Sequence, residues 1–336
     1  MPTENKPTFL AELTFDQMKE GLQQTFPTLM SRLSQLQLLN DGFSSYVVLV
    51  ADEIILRIAR HAEAMAGYIK EQSILPLLQK YLPFQIPQPI LWAGPSDVFP
   101  FGVMGYRRIS GIPLSLDLVP NVARNRIAED LARFLVALHH VPLAEVSPLG
   151  FRESPGFETL WAEVVPTLHM YLVEDEYEKI RLWWERYVGD KVKDSFTPRL
   201  IHGDPWGENL ILNETLHGVA GVIDFETVAV GDVAQDFAAQ KYLGVNFLSQ
   251  ILEHYQRSGG ELDHHFTLRL QDWCMLRELR GLHYAVKYPA SDELGDALQK
   301  VRSELGLIRD GGRPQNVERP AQSSGRIKKV WHTCIH

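Results

Sequence analysis

Cysteine is scarce in this chain: its 336 residues include only Cys274 and Cys334, whose separation fits no metal-binding spacing. So low a count argues against a disulfide framework of the kind that small secreted domains use, and it is typical of proteins from a reducing compartment. We therefore predict a cytoplasmic protein.

Long apolar runs are missing as well. The apolar run at residues 46–50 ends shortly before Asp52 and Glu53, far short of the roughly 20 residues that a membrane span needs. The amino terminus has no basic segment followed by an apolar core. From these absences we predict that the protein has no signal peptide and no membrane partner.

Positive charge does not dominate, because 33 Lys and Arg against 42 Asp and Glu give a formal net charge of −9. Nucleic-acid binding needs a basic face that displaces counterions, so we predict no nucleic-acid partner. An acidic surface attracts cationic ligands, but it also simply keeps a protein in solution, and net charge alone does not choose between the two.

The first third of the chain is rich in strand-type patterns, and helical periodicity dominates the rest. Residues 46–50 and 54–58 are apolar runs joined by a short polar link, which predicts an antiparallel hairpin. Helical spacing of apolar residues predicts helices at about 8–24, 63–81, 125–140, 157–187 with a break at Pro166, 233–257, 265–288 and 291–307. The fold class predicted from this order is α+β.

Two apolar runs each end in an acidic residue: residues 200–210 read LIHGDPWGENL and residues 222–226 read VIDFE. Asn209 follows Asp204 by five positions, the interval found in the catalytic loop of protein kinases. Phosphoryl transfer needs one carboxylate that orients the acceptor hydroxyl and takes its proton, and further oxygens that hold Mg²⁺ against the phosphates. The pattern predicts Asp204 as the catalytic carboxylate and Asn209 and Asp224 as Mg²⁺ ligands.

These motifs, together with GDVAQD at residues 231–236, resemble the aminoglycoside-phosphotransferase and choline-kinase superfamily, a small-molecule branch of the protein-kinase fold. The similarity extends over about residues 36–307. Residues 56–78, 105–114 and 222–238 are most similar to the branch that acts on gentamicin- and kanamycin-like drugs at the double-primed sugar ring. The chain has no Walker A sequence, so a P-loop enzyme is not supported.

The resemblance implies a two-lobed, protein-kinase-like fold with a small antiparallel-sheet amino-terminal lobe and a larger, mostly helical carboxyl-terminal lobe. We predict the nucleotide-binding lobe at residues 1–105, the hinge and catalytic lobe at 106–308, and a disordered tail at 309–336, where periodicity is lost. The implied co-substrate is ATP or GTP with Mg²⁺. The implied acceptor is a small, hydroxylated, cationic molecule, foremost an aminoglycoside-type antibiotic.

Other readings stay open. The acceptor could instead be a macrolide, choline, homoserine or methylthioribose, and the chain could be an inactive nucleotide-binding module. A protein kinase is disfavoured, because the seven residues between Asp224 and Asp232 leave no room for an activation loop. The oligomeric state is open too.

The resemblance also assigns residues of the front third to the nucleotide. Ser44 and Ser45 belong to a loop of small residues at the position that contacts phosphates. Arg57 stands where protein kinases carry a lysine, and arginine binds phosphate with a planar fork instead of a point charge. Glu71, on the next predicted helix, is the expected partner of Arg57, and Glu63 is the alternative.

Residues 101–111 would link the two lobes. The resemblance implies that Tyr106 stands at the mouth of the purine pocket, which Arg107, Arg108 and Ile109 would line. Tyr106 can equally be a core aromatic residue, and the sequence does not separate the two.

Four carboxylates are candidates for an acidic wall that receives ammonium groups of the acceptor, although each can also be an ordinary solvated side chain: Glu208, Glu226, Asp272 and Glu278. Asp232 and Asp236 are predicted to brace loops and helix N-termini by accepting hydrogen bonds from backbone amides. His139 is predicted to be a packed residue and not a catalyst.

Overall fold

Two compact units make up the part of the chain that the computed structural model describes, namely residues 10, 12–41, 44–151, 157–287 and 293–306. The first unit contains the described residues up to 114 together with 208–227, and the second contains 115–207 with the described residues from 228 onward. The predicted tail, and Gly42 and Phe43 of the predicted phosphate loop, lie outside the described residues. The predicted domain boundaries after residues 105 and 308 stay predictions.

The helices are α1 (Phe15–Thr25), α2 (Ala62–Leu78), α3 (Asn121–His139), α4 (Leu143–Val146), α5 (Phe157–Tyr171), α6 (Glu174–Gly189), α7 (Ala234–Ala238), α8 (Val245–Arg257), α9 (Phe266–Lys287) and α10 (Leu294–Glu304). The strands are β1 (Leu36–Asp41), β2 (Ser45–Val50), β3 (Ile54–Ala59), β4 (Pro89–Ala93), β5 (Val103–Arg107), β6 (Ile112–Pro113), β7 (Arg199–Ile201), β8 (Leu210–Leu212), β9 (Val219–Val222) and β10 (Ala229–Gly231).

A five-stranded antiparallel sheet in the order β1-β2-β3-β5-β4 forms the body of the first unit. The pairing of β2 with β3 ends at Val50↔Ile54, which confirms the predicted hairpin. Ala51 and Asp52 in its turn have φ values of 50° and 57°. Positive φ at both central residues gives a turn whose twist matches the twist of the strands it joins.

Both faces of this sheet are covered. Leu56 packs on one face in a buried cluster with Leu22 of α1. Ile55 packs on the opposite face in a second cluster with Tyr68 of α2. Because side chains alternate along a strand, Arg57 emerges on the α2 face, beside fully covered apolar residues.

A second sheet of the first unit has the order β6-β8-β9. The register of β8 with β9 begins at Leu210↔Val222, so the residues just before β8 and just after β9 lie at the same end of the hairpin. Gly111 precedes β6 with φ +133°, and a Cβ built there would lie 1.8 Å from the carbonyl oxygen of Leu212. Only glycine fits so close an approach of two backbones.

Helices dominate the second unit, and α9 lies against α5, α7 and α10. Leu279 and Leu282 of α9 are buried in one cluster with Leu168 of α5 and Val301 of α10. None of the helices in the described ranges is long and apolar enough to cross a membrane.

Two of the predicted helix boundaries are wrong. α5 runs through Pro166, and the chain breaks after Tyr171, where Val173 is extended with ψ 159°. A proline removes only one helical donor, so packing can carry a helix through it. The single helix predicted at 233–257 is instead divided into α7, a 3₁₀ segment and α8, because Gly244 adopts φ +91° in front of α8.

Candidate functional site

Arg57 lies at the centre of a buried ion cluster in the first unit. Its Nη1 donates to both carboxylate oxygens of Glu71 at 2.9 Å, and the two side chains are 8% and 1% exposed. Its Nη2 donates to Asp224 at 3.2 Å and to Glu226 at 3.0 Å. The expected pairing with Glu71 is therefore present, whereas Glu63 contacts His61 instead. The nucleotide role of Arg57 and Glu71 stays a prediction.

The charges of this cluster explain its titration behaviour. Burial disfavours the charged form of Arg57, but the carboxylates of Glu71 and Asp224 outweigh that effect and hold the pKa of Arg57 above its ordinary value. Burial raises the pKa of Glu71, and the adjacent guanidinium opposes the shift. A buried arginine that is always charged is thus kept in place by charges of opposite sign.

Helix α2 approaches the cluster closely because of a glycine. A Cβ at Gly67 would lie 2.8 Å from the Cβ of Glu226, so a larger residue would push the two segments apart. Lys70, one helical turn further, donates from Nζ to the backbone carbonyl of Glu226 at 3.0 Å. Burial lowers the pKa of Lys70. The sequence analysis missed Lys70, although its spacing from Glu71 and Gly67 on one helix was visible.

The predicted phosphate-loop serines have different surroundings. Ser45 is buried, and its hydroxyl shares a hydrogen bond with the hydroxyl of Tyr68. The Tyr68 ring in turn lies under the guanidinium of Arg57, 4.7 Å from Cζ to the ring centre. Ser44 is only partly buried, and its carbonyl accepts from the amide of Arg60 at 3.0 Å. Phosphate contact by either serine stays a prediction.

Asn209 and Asp224, the predicted Mg²⁺ ligands, lie at the same end of the β8–β9 hairpin. The amide of Ile223 donates to the carbonyl of Asn209 at 2.9 Å, which extends the strand pairing by one residue. Asp224 has φ +67°, and its side chain is 36% exposed. Non-glycine residues rarely adopt this conformation, and such strain persists only where the surroundings impose it.

The donor set at this hairpin end fits Mg²⁺. One amide oxygen and one carboxylate are the hard ligands this ion prefers, and it usually takes only one or two of them from a protein before phosphates and water complete the shell. The net charge of the cluster is −1, because three carboxylates (Glu71, Asp224 and Glu226) face two cations (Arg57 and Lys70). The residual negative charge suits a divalent cation.

The predicted hinge residues are divided between core and surface. Tyr106 is buried opposite Ile55 in the sheet. Burial raises the pKa of Tyr106, and the positive charge of Arg57 opposes the shift. Ile109 is buried and Arg107 is exposed. Lining of a purine pocket by these residues stays a prediction.

Arg108 has a structural contact of its own. Its amide donates to the carbonyl of Glu53 at 2.8 Å, and its guanidinium forms an ion pair with Asp52. Both partners belong to the turn between β2 and β3. Arg108 therefore ties that turn to the segment that follows β5.

Asp204 stands on a braced loop of the second unit. The carboxylate of Asp236 accepts from the amides of His202 at 2.9 Å and Gly203 at 2.7 Å. Gln240 donates to the carbonyl of Pro205. The prediction that Asp236 braces a loop is confirmed.

His139 belongs to the same brace. It is fully buried, with Nε2 3.1 Å from Asp236 and Nδ1 2.8 Å from the hydroxyl of Tyr255. The prediction of a packed histidine is confirmed, and His139 contacts the carboxylate of Asp236 that braces the loop before Asp204.

Arg277 of α9 contacts Asp204 directly. Its Nη1 lies 2.5 Å from Oδ1 of Asp204, with side chains 25% and 33% exposed. The sequence analysis missed this residue, since 73 positions separate the two and no local pattern connects them.

Three of the four carboxylates predicted to receive an acceptor already have a cationic neighbour in the protein. Glu226 contacts Arg57 at 3.0 Å, Asp272 contacts Arg186 at 2.5 Å and Glu278 contacts Lys241 at 2.6 Å. Glu208 is exposed beside Asn209. Their role toward an acceptor stays a prediction, and any ammonium group would compete with these internal cations.

A family model described as "Phosphotransferase enzyme family" matches residues 35–286 of the chain. Viomycin phosphotransferase of Streptomyces vinaceus is 30% identical over 229 residues, which cover 66% of this chain and 77% of that protein. Residues 35–286, which the family model matches, contain the Arg57 cluster, the Asp204 loop and the hairpin of Asn209 and Asp224.

Solved structures agree in fold. The GDP complex of aminoglycoside 2'-phosphotransferase-IIIa superposes with a TM-score of 0.76 at 21% identity, covering 88% of this chain and 99% of that chain. The streptomycin–ATP complex of APH(2")-IIa superposes with a TM-score of 0.64 at 18% identity, covering 89% of this chain and 98% of that chain. The predicted kinase-like α+β fold is thereby confirmed.

Proposed function

This chain belongs to the phosphotransferase enzyme family, and from that premise we propose that it transfers the γ-phosphate of ATP or GTP to a hydroxyl of an aminoglycoside-type antibiotic. The observation that carries the proposal is the position of Asn209 and Asp224 at the same end of one hairpin, beside the Arg57–Glu71 ion pair. Oxygen ligands for a metal and a cation for phosphates are the parts that nucleotide-dependent phosphoryl transfer requires.

In this proposal, Arg57 contacts the nucleotide phosphates, and Glu71 holds its guanidinium in place. Mg²⁺ held by Asn209 and Asp224 would supply charge neutralisation on the phosphate oxygens. Ser44, Ser45 and the residues 106–109 are proposed as further nucleotide contacts.

Asp204 is proposed to orient the acceptor hydroxyl and to take its proton. Support comes from its loop, whose two preceding amides are fixed by Asp236. A carboxylate on a loop that is already ordered loses little entropy on binding substrate, and such positioning, together with electrostatic stabilisation, is what a protein chiefly contributes to phosphoryl transfer.

The acceptor class rests on relatives, whose names include aminoglycoside, viomycin and macrolide phosphotransferases. These drugs differ in scaffold but share hydroxyl groups. The acidic net charge of the chain, −9, favours cationic members of the group. Glu208 and Glu226 are proposed contacts for their ammonium groups.

The test is a transfer assay on purified protein with Mg²⁺ and either ATP or GTP. The acceptors are kanamycin, gentamicin, streptomycin, viomycin, a macrolide, choline and a neutral disaccharide, and mass spectrometry detects the phosphorylated product. Transfer to an aminoglycoside above all others supports the proposal. Preferred transfer to choline or to the disaccharide contradicts the acceptor class, and nucleotide binding without transfer to any acceptor contradicts catalysis.

A further inference from the structure

The contact between Arg277 and Asp204 is partly open to solvent. A hydrogen bond from Nη1 joins them, and both side chains are open to solvent to a quarter or more. The Nε–H of Arg277 is buried and has no hydrogen-bond partner among the described residues. The guanidinium therefore lacks the full fork of hydrogen bonds that makes an arginine a rigid partner.

Arg269 lies about two turns before Arg277 on α9, at roughly 3.6 residues per turn, and it is an arginine whose hydrogen-bonding groups are fully used. Its Nε donates to Asp232 at 2.8 Å, and its Nη groups donate to Asp263 at 2.6 Å and to the carbonyl of Ser195 at 2.8 Å. Its side chain is 2% exposed. Helix α9 therefore carries Arg269, whose donors all have partners and which fixes the structure, and Arg277, which leaves one donor unpaired and covers the carboxylate of Asp204.

A like charge lies beside Arg277. Arg280 is one helical turn further along α9, and burial together with the charge of Arg277 lowers the pKa of Arg280. The carboxylates of Asp204 and Glu278 offset this repulsion. The guanidinium of Arg277 also lies over the ring of Tyr242, with Cζ 5.6 Å from the ring centre, and this contact does not involve Asp204.

We propose that Arg277 occupies, on the carboxylate of Asp204, the place that an ammonium group of the acceptor takes, so that a cationic acceptor binds by displacing Arg277. The inference rests on the proposed function, in which Asp204 faces the acceptor. Arg277 is then a specificity-determining residue: an acceptor that brings its own cation replaces the lost ion pair, and a neutral acceptor leaves Arg277 where it is.

The consequence is competition between an internal and an external cation. Removing the internal cation strengthens binding of a cationic acceptor, because no ion pair has to be broken first. A partly exposed ion pair of this kind changes affinity by a few-fold. A neutral acceptor gains nothing from the change, since it makes no use of the vacated charge.

The experiment measures acceptor binding by calorimetric titration of wild type, Arg277→Gln and Arg277→Lys, without nucleotide. The probes are kanamycin and fully N-acetylated kanamycin, which keeps the sugar scaffold and its hydroxyls but carries no ammonium. Arg302→Gln is the matched control, because it removes a partly exposed arginine paired with Glu176 and leaves Asp204 untouched. Thermal unfolding verifies that each variant is folded.

Arg277→Gln is expected to bind kanamycin about threefold to fivefold more tightly, with the N-acetylated probe unchanged. Arg277→Lys and Arg302→Gln are expected to resemble wild type. In the transfer assay the gain should appear as a lower KM for kanamycin.

Unchanged or weaker kanamycin binding by a folded Arg277→Gln overturns the inference, and so does an equal gain for both probes. No kanamycin binding by either protein overturns it as well. A fall in kcat at constant KM would make Arg277 a residue that positions Asp204 instead. Absence of phosphoryl transfer by wild type, with the predicted binding difference intact, would refute the proposed function and not this contact.

Discussion

The two arginine–aspartate contacts at the candidate site are built in opposite ways. Arg57 is buried and donates to three carboxylates, whereas Arg277 is partly exposed and donates to one carboxylate, that of Asp204, among the described residues. A saturated buried network resists rearrangement, and a single exposed pair yields to competitors. From this comparison we expect a rigid site for the nucleotide, which is the same ligand in every turnover. We expect an acceptor site whose ion pair can be broken by the acceptor.

Removing the proposed catalytic carboxylate on the acceptor side of the site should have the largest effect on activity. Asp204→Ala is expected to lower kcat about a hundredfold to ten-thousandfold, because the group that orients the hydroxyl and takes its proton is gone. Nucleotide affinity should be unchanged. The checks are steady-state kinetics and nucleotide titration, with Asp194→Ala, an exposed aspartate of the same unit, as the control. Near-normal turnover would refute the assignment.

Breaking the nucleotide side should act on binding as well as turnover. Asp224→Asn removes a proposed metal ligand, and loss of metal charge stabilisation should lower kcat/KM about a hundredfold. The Mg²⁺ concentration needed for half-maximal rate should rise, and Asn209→Ala should behave alike. Glu214→Gln, in the exposed loop of the same hairpin, serves as control. An unaltered Mg²⁺ requirement in both variants would remove the metal site.

The hydrogen bonds that Asp236 accepts from the loop before Asp204 should contribute to the free energy of unfolding. Asp236→Ala leaves the buried amides of His202 and Gly203 without their acceptor. We expect the free energy of unfolding to fall by about 2–5 kcal/mol, since each orphaned buried donor costs roughly 1–3 kcal/mol. Denaturant titration measures this, with the exposed Glu253→Ala of α8 as the reference. A stability equal to that of Glu253→Ala would mean that the loop orders without the brace.

The smallest effect concerns the charge of the acceptor. Glu226→Gln is expected to raise the KM for kanamycin a few-fold, because one exposed charge pair contributes about 0.2–1 kcal/mol. Raising salt to physiological levels should act in the same direction through screening. Because Glu226 also contacts Arg57, the KM for nucleotide must be measured in parallel. A change in nucleotide KM alone would assign Glu226 to the nucleotide side.

Much of the candidate site follows from local patterns. The spacing within residues 200–210 and 222–226 predicted Asp204, Asn209 and Asp224 as site residues. The family resemblance predicted the pairing of Arg57 with Glu71, which the structure contains. Such signals are visible because the chemistry needs particular side chains at short intervals. The contact of Arg277 with Asp204 left no such trace, since it joins a loop to a helix 73 positions away.

Helix boundaries show the same division. The hairpin of β2 and β3 was predictable because alternation and a short polar link both act within a few residues. The continuation of α5 through Pro166 was not, because packing of its buried face offsets the local preference against proline. The break in the helix at Gly244 was equally hard to predict from the sequence, since glycine permits a positive φ but does not require one.

The sequence by itself determined the fold class and the family, and it predicted the residues proposed for phosphoryl transfer, because periodicity, spacing and side-chain chemistry are local properties. Tertiary structure alone decided how charges are shared. It surrounded Arg57 with three carboxylates, gave Asp272 and Glu278 internal cations, and set Arg277 on Asp204. Whether a carboxylate is available to a ligand depends on which cation lies within a few ångströms, and electrostatic energy falls with distance in space and not along the chain.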